Sequence, residues 1–123
     1  MPKHIIDMSG KIVLITGGSR GMGHAMALGF AEAGADIAVT SRKIESCEKA
    51  AAEIEALGRR AFAHACHVGY WDQVNELIEA TYDHFGKVDV LINNAGMSPL
   101  YDRAADITEA LYDKVLDVNL KGP

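Results

Sequence analysis

Apolar residues along this 123-residue chain alternate between two patterns. Short continuous runs rich in Val, Ile and Ala stand at KIVLIT (11–16), DIAVTS (36–41), RAFAHACHV (60–68) and KVDVLIN (87–93). Between them the apolar positions follow a helical stripe. In RKIESCEKAAAEIEALG (42–58) the stripe is Ile44, Cys47, Ala51, Ile54 and Leu57, stopped by Gly58. In WDQVNELIEATYDHFG (71–86) it is Val74, Leu77, Ile78 and Phe85, stopped by Gly86. Such spacing closed by glycine predicts amphipathic helices, and the short runs between them predict buried strands. MGHAMALGFAEAG (22–34) is small and apolar on almost every side, which suits a helix packed tightly between a sheet and its neighbours. One extended loop, MSPLYDRAAD (97–106), leads to a last helix expected from Thr108 and running out through Asn119.

Strand and helix in strict alternation predict βαβ units with right-handed crossovers. The fold class is therefore α/β: a three-layer, Rossmann-type parallel sheet of about four strands in the order 3-2-1-4. Residues 1–123 are expected to form a single dinucleotide-binding domain, incomplete, with the later strands of the sheet lying past Pro123. Ligands of such sheets bind beyond the carboxyl ends of the strands, where the strand order reverses between strands 1 and 4.

Composition narrows the class. With 49% hydrophobic and 24% charged residues the chain reads as an ordinary globular domain. A net charge of −5 lacks the basic face that nucleic acid requires, so no nucleic-acid partner is expected. No apolar run approaches the ~18 residues of a membrane span. MPKHIIDMSG at the start lacks the apolar core of a secretory signal. Two cysteines, Cys47 and Cys66, make no disulfide framework. A cytoplasmic, reduced compartment is the expectation.

The chemistry concentrates in TGGSRGMG (16–23), where the first strand turns into the first helix. A P-loop would need Lys-Ser/Thr after Gly23, but His24 and Ala25 follow. The G-x-G-x-x-G pattern also fails, since Met26 stands at its last position. What remains is T-G-x-x-x-G-x-G through Gly17, Gly21 and Gly23. One glycine makes the tight turn, a second lets backbone approach a diphosphate, and a third lets helix and sheet pack closely, with the helix N-terminus facing the anion. Gly17-Gly18-Ser19-Arg20-Gly21 also fits the G-x-S-x-G elbow of hydrolases, which would make Ser19 a nucleophile. That reading needs an earlier sheet strand and a paired acid and histidine, and His67 and His84 have no evident partner. His64, Cys66 and His67 could suggest a metal, but strand alternation turns His67 from the other two, so no metal site is expected.

The glycine loop, NNAG (93–96), DVNLKG (117–122), MSGKIVLITG (8–17) and GKVDVLINNAG (86–96) together resemble the short-chain dehydrogenase/reductase family, most closely its 3-oxoacyl-carrier-protein reductase-like members. The resemblance covers the whole chain. It implies an oxidoreductase that moves hydride between a nicotinamide cofactor and a small-molecule carbonyl or alcohol. It also implies a homo-oligomer, dimer or tetramer, when complete. Gly17, Gly18, Ser19, Arg20, Gly21, Met22 and Gly23 would hold the diphosphate and adenosine ribose. Asn93, Asn94, Ala95 and Gly96 would brace the sheet and lie along the cofactor ribose.

The end of the second strand speaks to cofactor choice. Ser41 stands where NAD binders place an acid for the ribose hydroxyls, and Arg42 and Lys43 follow. With no carboxylate to repel a 2′-phosphate and Arg42 to fork it, NADP is expected in preference to NAD. After the third strand the family has Asp-Val, whereas this chain has His67-Val68. The imidazole replaces a carboxylate that accepts from adenine. The family's catalytic group is Asn, Ser, Tyr and Lys, the last two spaced Y-x-x-x-K. Tyr70, Tyr82, Tyr101 and Tyr112 are followed four places on by Val74, Gly86, Ala105 and Leu116. Only the Asn is matched, by Asn119, expected to face inward on the stripe of Leu111 and Val115. The expectation is a cofactor-binding half without its proton donor, or alternatively a catalytically silent dinucleotide-binding module or sensor.

Overall fold

The computed structural model describes residues 6–100 and 102–123. The first five residues of the start scanned for a secretory signal, and Tyr101 in the extended loop, lie outside the described residues. The elements are β1 (Ile12–Thr16), α1 (Gly21–Glu32), β2 (Asp36–Ser41), α2 (Ile44–Ala56), β3 (Ala61–Ala65), α3 (Trp71–Phe85), β4 (Val90–Ile92) and α4 (Glu109–Leu116). The four strands form one parallel sheet in the order β3-β2-β1-β4, the expected Rossmann-type order. β1, fully buried, is central, and the switch point lies between it and β4.

Strand alternation sends two sets of side chains to opposite faces. Val13, Ile15, Ile37 and Val39 meet Ala27 and Ala31 of α1 and Ala50, Ala51 and Ile54 of α2. Leu14, Ala38, Cys66 and Val68 meet Leu77 of α3 and Val118. The alanines of α1 let that helix sit close, as its small apolar sequence implies. On α3 the stripe differs from expectation at one position. Ile78 is 38% exposed, and Thr81 is buried in its place. Thr81 Oγ1 donates to the Leu77 carbonyl at 2.7 Å, satisfying the hydroxyl within its own helix.

Two strands are shorter than their apolar runs. β3 stops at Ala65 because its partner β2 ends at Ser41, the last registered pair. Cys66 N–H still reaches the Ser41 carbonyl at 2.8 Å. His67 N–H then turns to Gln73 Oε1 at 2.7 Å, and residues 66–68 leave the sheet as a loop. At β4, Asp89 takes the first bond to β1, its Oδ2 accepting from Ile12 N–H at 2.8 Å. Beyond Ile92 the chain curls away, Asn94 N–H donating to the Ile92 carbonyl.

The last helix starts where expected. Thr108 caps it, Oγ1 accepting from Leu111 N–H at 3.1 Å. It does not continue regularly through Asn119. Residues Asp117–Lys121 widen into a π turn, closed by Gly122 N–H on the Asp117 carbonyl at 2.8 Å. The wider turn shifts the stripe, so Val118 is buried and Asn119 is exposed rather than inward. Trp71 Nε1–H holds the turn from α3, donating to the Lys121 carbonyl at 3.0 Å, with the Lys121 ammonium over the indole. Among the described residues no helix is long and apolar enough to cross a membrane.

Candidate functional site

The carboxyl ends of the four strands open onto a cleft of about 680 Å³. Its floor is the β1–α1 loop. Gly17 sits at φ +64°, in the left-handed region that glycine takes without strain. A Cβ on Gly23 would run into the Gly17 carbonyl and the Asn94 side chain, so only glycine lets α1 start this close to the sheet. α1 begins at Gly21 with no side chain capping it and no acid in its first turn. Its unpaired N–H groups and dipole therefore face the loop as a place for negative charge.

The β4 side is held to this floor by Thr16. Its buried Oγ1 accepts from Asn94 N–H at 3.1 Å and Ala95 N–H at 3.0 Å. Asn94 Nδ2 donates to the Gly17 carbonyl at 3.1 Å. Farther out, Asn119 clasps Met97 in both directions: Oδ1 accepts from Met97 N–H and Nδ2 donates to the Met97 carbonyl, each at 2.8 Å. The exposed amide thus ties the π turn to the segment leaving β4.

At the β2 side, Ser41 Oγ lies 3.1 Å from Cys47 Sγ of α2. Arg42 and Lys43 follow on the rim, and Arg20 stands at the glycine loop. None of these three cations has an ion-pair partner among the described residues. At the β3 end, His67 and Val68 form the wall, with Cys66 buried beneath them. Burial pushes the Cys66 thiol up to about 11, with Glu76 adding to the effect, so it stays protonated at neutral pH.

Of the residues singled out from sequence, Gly17, Ser19, Arg20, Gly21, Ser41, Arg42, His67, Val68, Asn94, Ala95 and Gly96 line this one cleft. Gly18 and Gly23 are buried behind it, Met22 is exposed outside it, and Asn119 acts on it through Met97. Among the described residues no histidine hydrogen-bonds Ser19, so the hydrolase elbow finds no base. Sequence reasoning missed Thr16, Met97 and Lys114. Lys114 reaches the cleft wall from α4. Only Thr16 carried a signal, as a hydroxyl residue ending a buried strand directly before the glycines.

The profile of the short chain dehydrogenase family matches residues 11–123. Dehydrogenase/reductase SDR family member 4 of Oryctolagus cuniculus is 32% identical over 114 residues, which are 93% of this chain and 44% of that protein. A short chain dehydrogenase from Burkholderia cenocepacia J2315, solved in complex with NADP, superposes with a TM-score of 0.87 at 38% identity, over 94% of this chain and 47% of that one. A 3-ketoacyl-(acyl-carrier-protein) reductase from Brucella melitensis, complexed with NADH, gives a TM-score of 0.88 at 34% identity, over 94% and 46%. The chain thus spans less than half the length of each of these three proteins.

Proposed function

The chain belongs to the short-chain dehydrogenase family, and on that premise we propose that residues 1–123 are the single dinucleotide-binding domain of an NADP(H)-dependent oxidoreductase acting on small-molecule carbonyls or alcohols. One observation carries the reading. An uncapped helix N-terminus opens between close-packed glycines onto a cleft rimmed by Arg20, Arg42 and Lys43, cations without anionic partners among the described residues. Such a floor fits a diphosphate and such a rim fits a further phosphate. Similar structures are complexed with NADP in one case and NADH in another, so the choice of NADP rests on the Ser41–Arg42 rim of this chain.

In this reading the loop from Gly17 to Gly23 holds the diphosphate and adenosine ribose. Ser41 and Arg42 take the 2′-phosphate, His67 and Val68 the base, and Asn94, Ala95 and Gly96 the second ribose. When bound, the nicotinamide supplies or accepts the hydride. Thr16 and Asn94 keep the β4 wall against the floor, and Asn119 sets the path of Met97 beyond it. We place the protein in a cytoplasmic, reduced compartment, as a homo-oligomer in its complete form, without nucleic-acid or membrane partners.

The proton donor is not in this chain, since none of its four tyrosines precedes a lysine at the family's spacing. A second reading, a dinucleotide-binding module or sensor without catalysis, fits the same cleft, and residues beyond Pro123 separate the two. Positioned acid–base groups contribute about 10²–10⁴-fold to rate, so the chain alone should not reduce carbonyls even when saturated with NADPH. The test follows NADPH absorbance against a panel of ketones, including 3-oxoacyl thioesters, with the chain alone and after fusion to a family C-terminal half. Turnover only in the fusion supports the oxidoreductase reading. Turnover by the chain alone that vanishes on Asn119→Ala would overturn the assignment of the missing donor. Saturable binding with no turnover in either format would favour the sensor.

A further inference from the structure

The loop leaving β3 fixes one imidazole in a definite protonation pattern. Gly69 N–H donates to His67 Nδ1 at 3.1 Å, and the His67 ring packs 4.7 Å from the Tyr70 ring. His67 N–H is itself held by Gln73 Oε1 at 2.7 Å. A backbone N–H can only donate, so Nδ1 must present its lone pair, and the neutral ring carries its proton on Nε2. Nε2 has no hydrogen-bond partner among the described residues, and His67 lines the cleft.

The direction of the cleft places a base at this end. The inference rests on the dinucleotide reading above. With the diphosphate at α1 and the ribose phosphate at Arg42, the ligand runs from β1 toward β2, and the next strand outward is β3. The purine then meets His67 and Val68. We propose that His67 makes the base end of the cleft a hydrogen-bond donor, which takes the purine through a ring nitrogen or a 6-oxo oxygen and does not select a 6-amino group. A carboxylate here would accept from the amino group and repel an oxo group. The Nε2–H does the reverse. The amide oxygen of Gln73, the nearby acceptor that could restore amino selection, is already engaged by the His67 backbone.

The test compares NADPH with its 6-oxo (deaminated) analogue at about pH 8, above the ordinary imidazole range, following the emission of the sole tryptophan, Trp71. The analogue should bind within about threefold of NADPH or more tightly, and His67→Asp should move the preference toward NADPH by about tenfold, the worth of one hydrogen bond. A wild-type preference for NADPH beyond about threefold, or no shift in His67→Asp, overturns the proposal and leaves the dinucleotide reading standing. No saturable binding of either nucleotide overturns both. Should His67→Asp fail to fold, the wild-type comparison decides alone. Nitrogen NMR of the His67 ring gives a readout apart from binding: a lone-pair Nδ1 and a protonated Nε2 are expected in the free protein, and the opposite tautomer overturns the proposal.

Discussion

The guanidinium of Arg42 stands exposed where β2 gives way to α2, at the rim of the cleft. A charge-assisted contact with a 2′-phosphate contributes about 1.5–3 kcal/mol, the lower end applying to so exposed a group. NADPH should therefore bind about tenfold more tightly than NADH, and Arg42→Asp should erase or reverse that ratio. Equal affinities in the unaltered chain, read by titration of both cofactors, would sink the claim. Single residues of this kind were legible because their chemistry is local: a cation after a strand, glycines at a turn. Thr16, Met97 and Lys114 were not legible in the same way. Their roles depend on segments far apart in sequence coming together, as when the Thr16 hydroxyl receives the Asn94 and Ala95 amides across the switch point.

Among the strands, β4 is the shortest, with three residues paired to β1. Asp89 extends the pairing with its side chain, accepting from Ile12 N–H and bridging Lys87 Nζ at 2.9 Å. The Ile12 amide first and the Lys87 ammonium next hold its carboxyl below the usual carboxylate range. A carboxyl with a lowered folded pKa contributes stability that is whole above its unfolded value of about 3.8 and is lost as pH falls through the folded value. Asp89→Asn should thus lower the melting temperature at pH 7 and converge with the unaltered chain in strong acid. Melting curves that stay equally far apart at every pH would count against this. The elements themselves were readable from apolar periodicity, all four strands included, because short continuous apolar runs and helical stripes differ in length, although β3 is half-buried throughout and β4 partly exposed rather than buried as expected. Their ends were not. β3 halts where β2 stops offering partners, and α4 loosens into a π turn whose i to i+5 bonding leaves no trace in a stripe of period 3.6.

At the scale of the whole molecule, no strand among the described residues pairs with the outer edge of β3 or of β4, and β4 presents Leu91 at 51% exposure. Open edges with apolar side chains invite pairing with another chain. The chain should self-associate with rising concentration, and Leu91→Lys should weaken that association. A monomer at every concentration in sedimentation would contradict the expectation. The same topology also sets a timetable. β1 meets β2 across a single helix, but its contact with Asp89 spans 77 residues. Closing that longer loop costs about 1 kcal/mol more entropy than closing the shorter one, and during synthesis the β1–β2–β3 part emerges first. The fourth strand should dock last, in pulsed hydrogen exchange gaining protection at Ile92, Asn94 and Ala95 after the amides of β2 are already slow. Simultaneous protection would refute this order. A ribosome-bound chain would then carry three of these four strands around a ligand cleft that still lacks one wall, and that cleft would become competent to hold a dinucleotide only once β4 has docked.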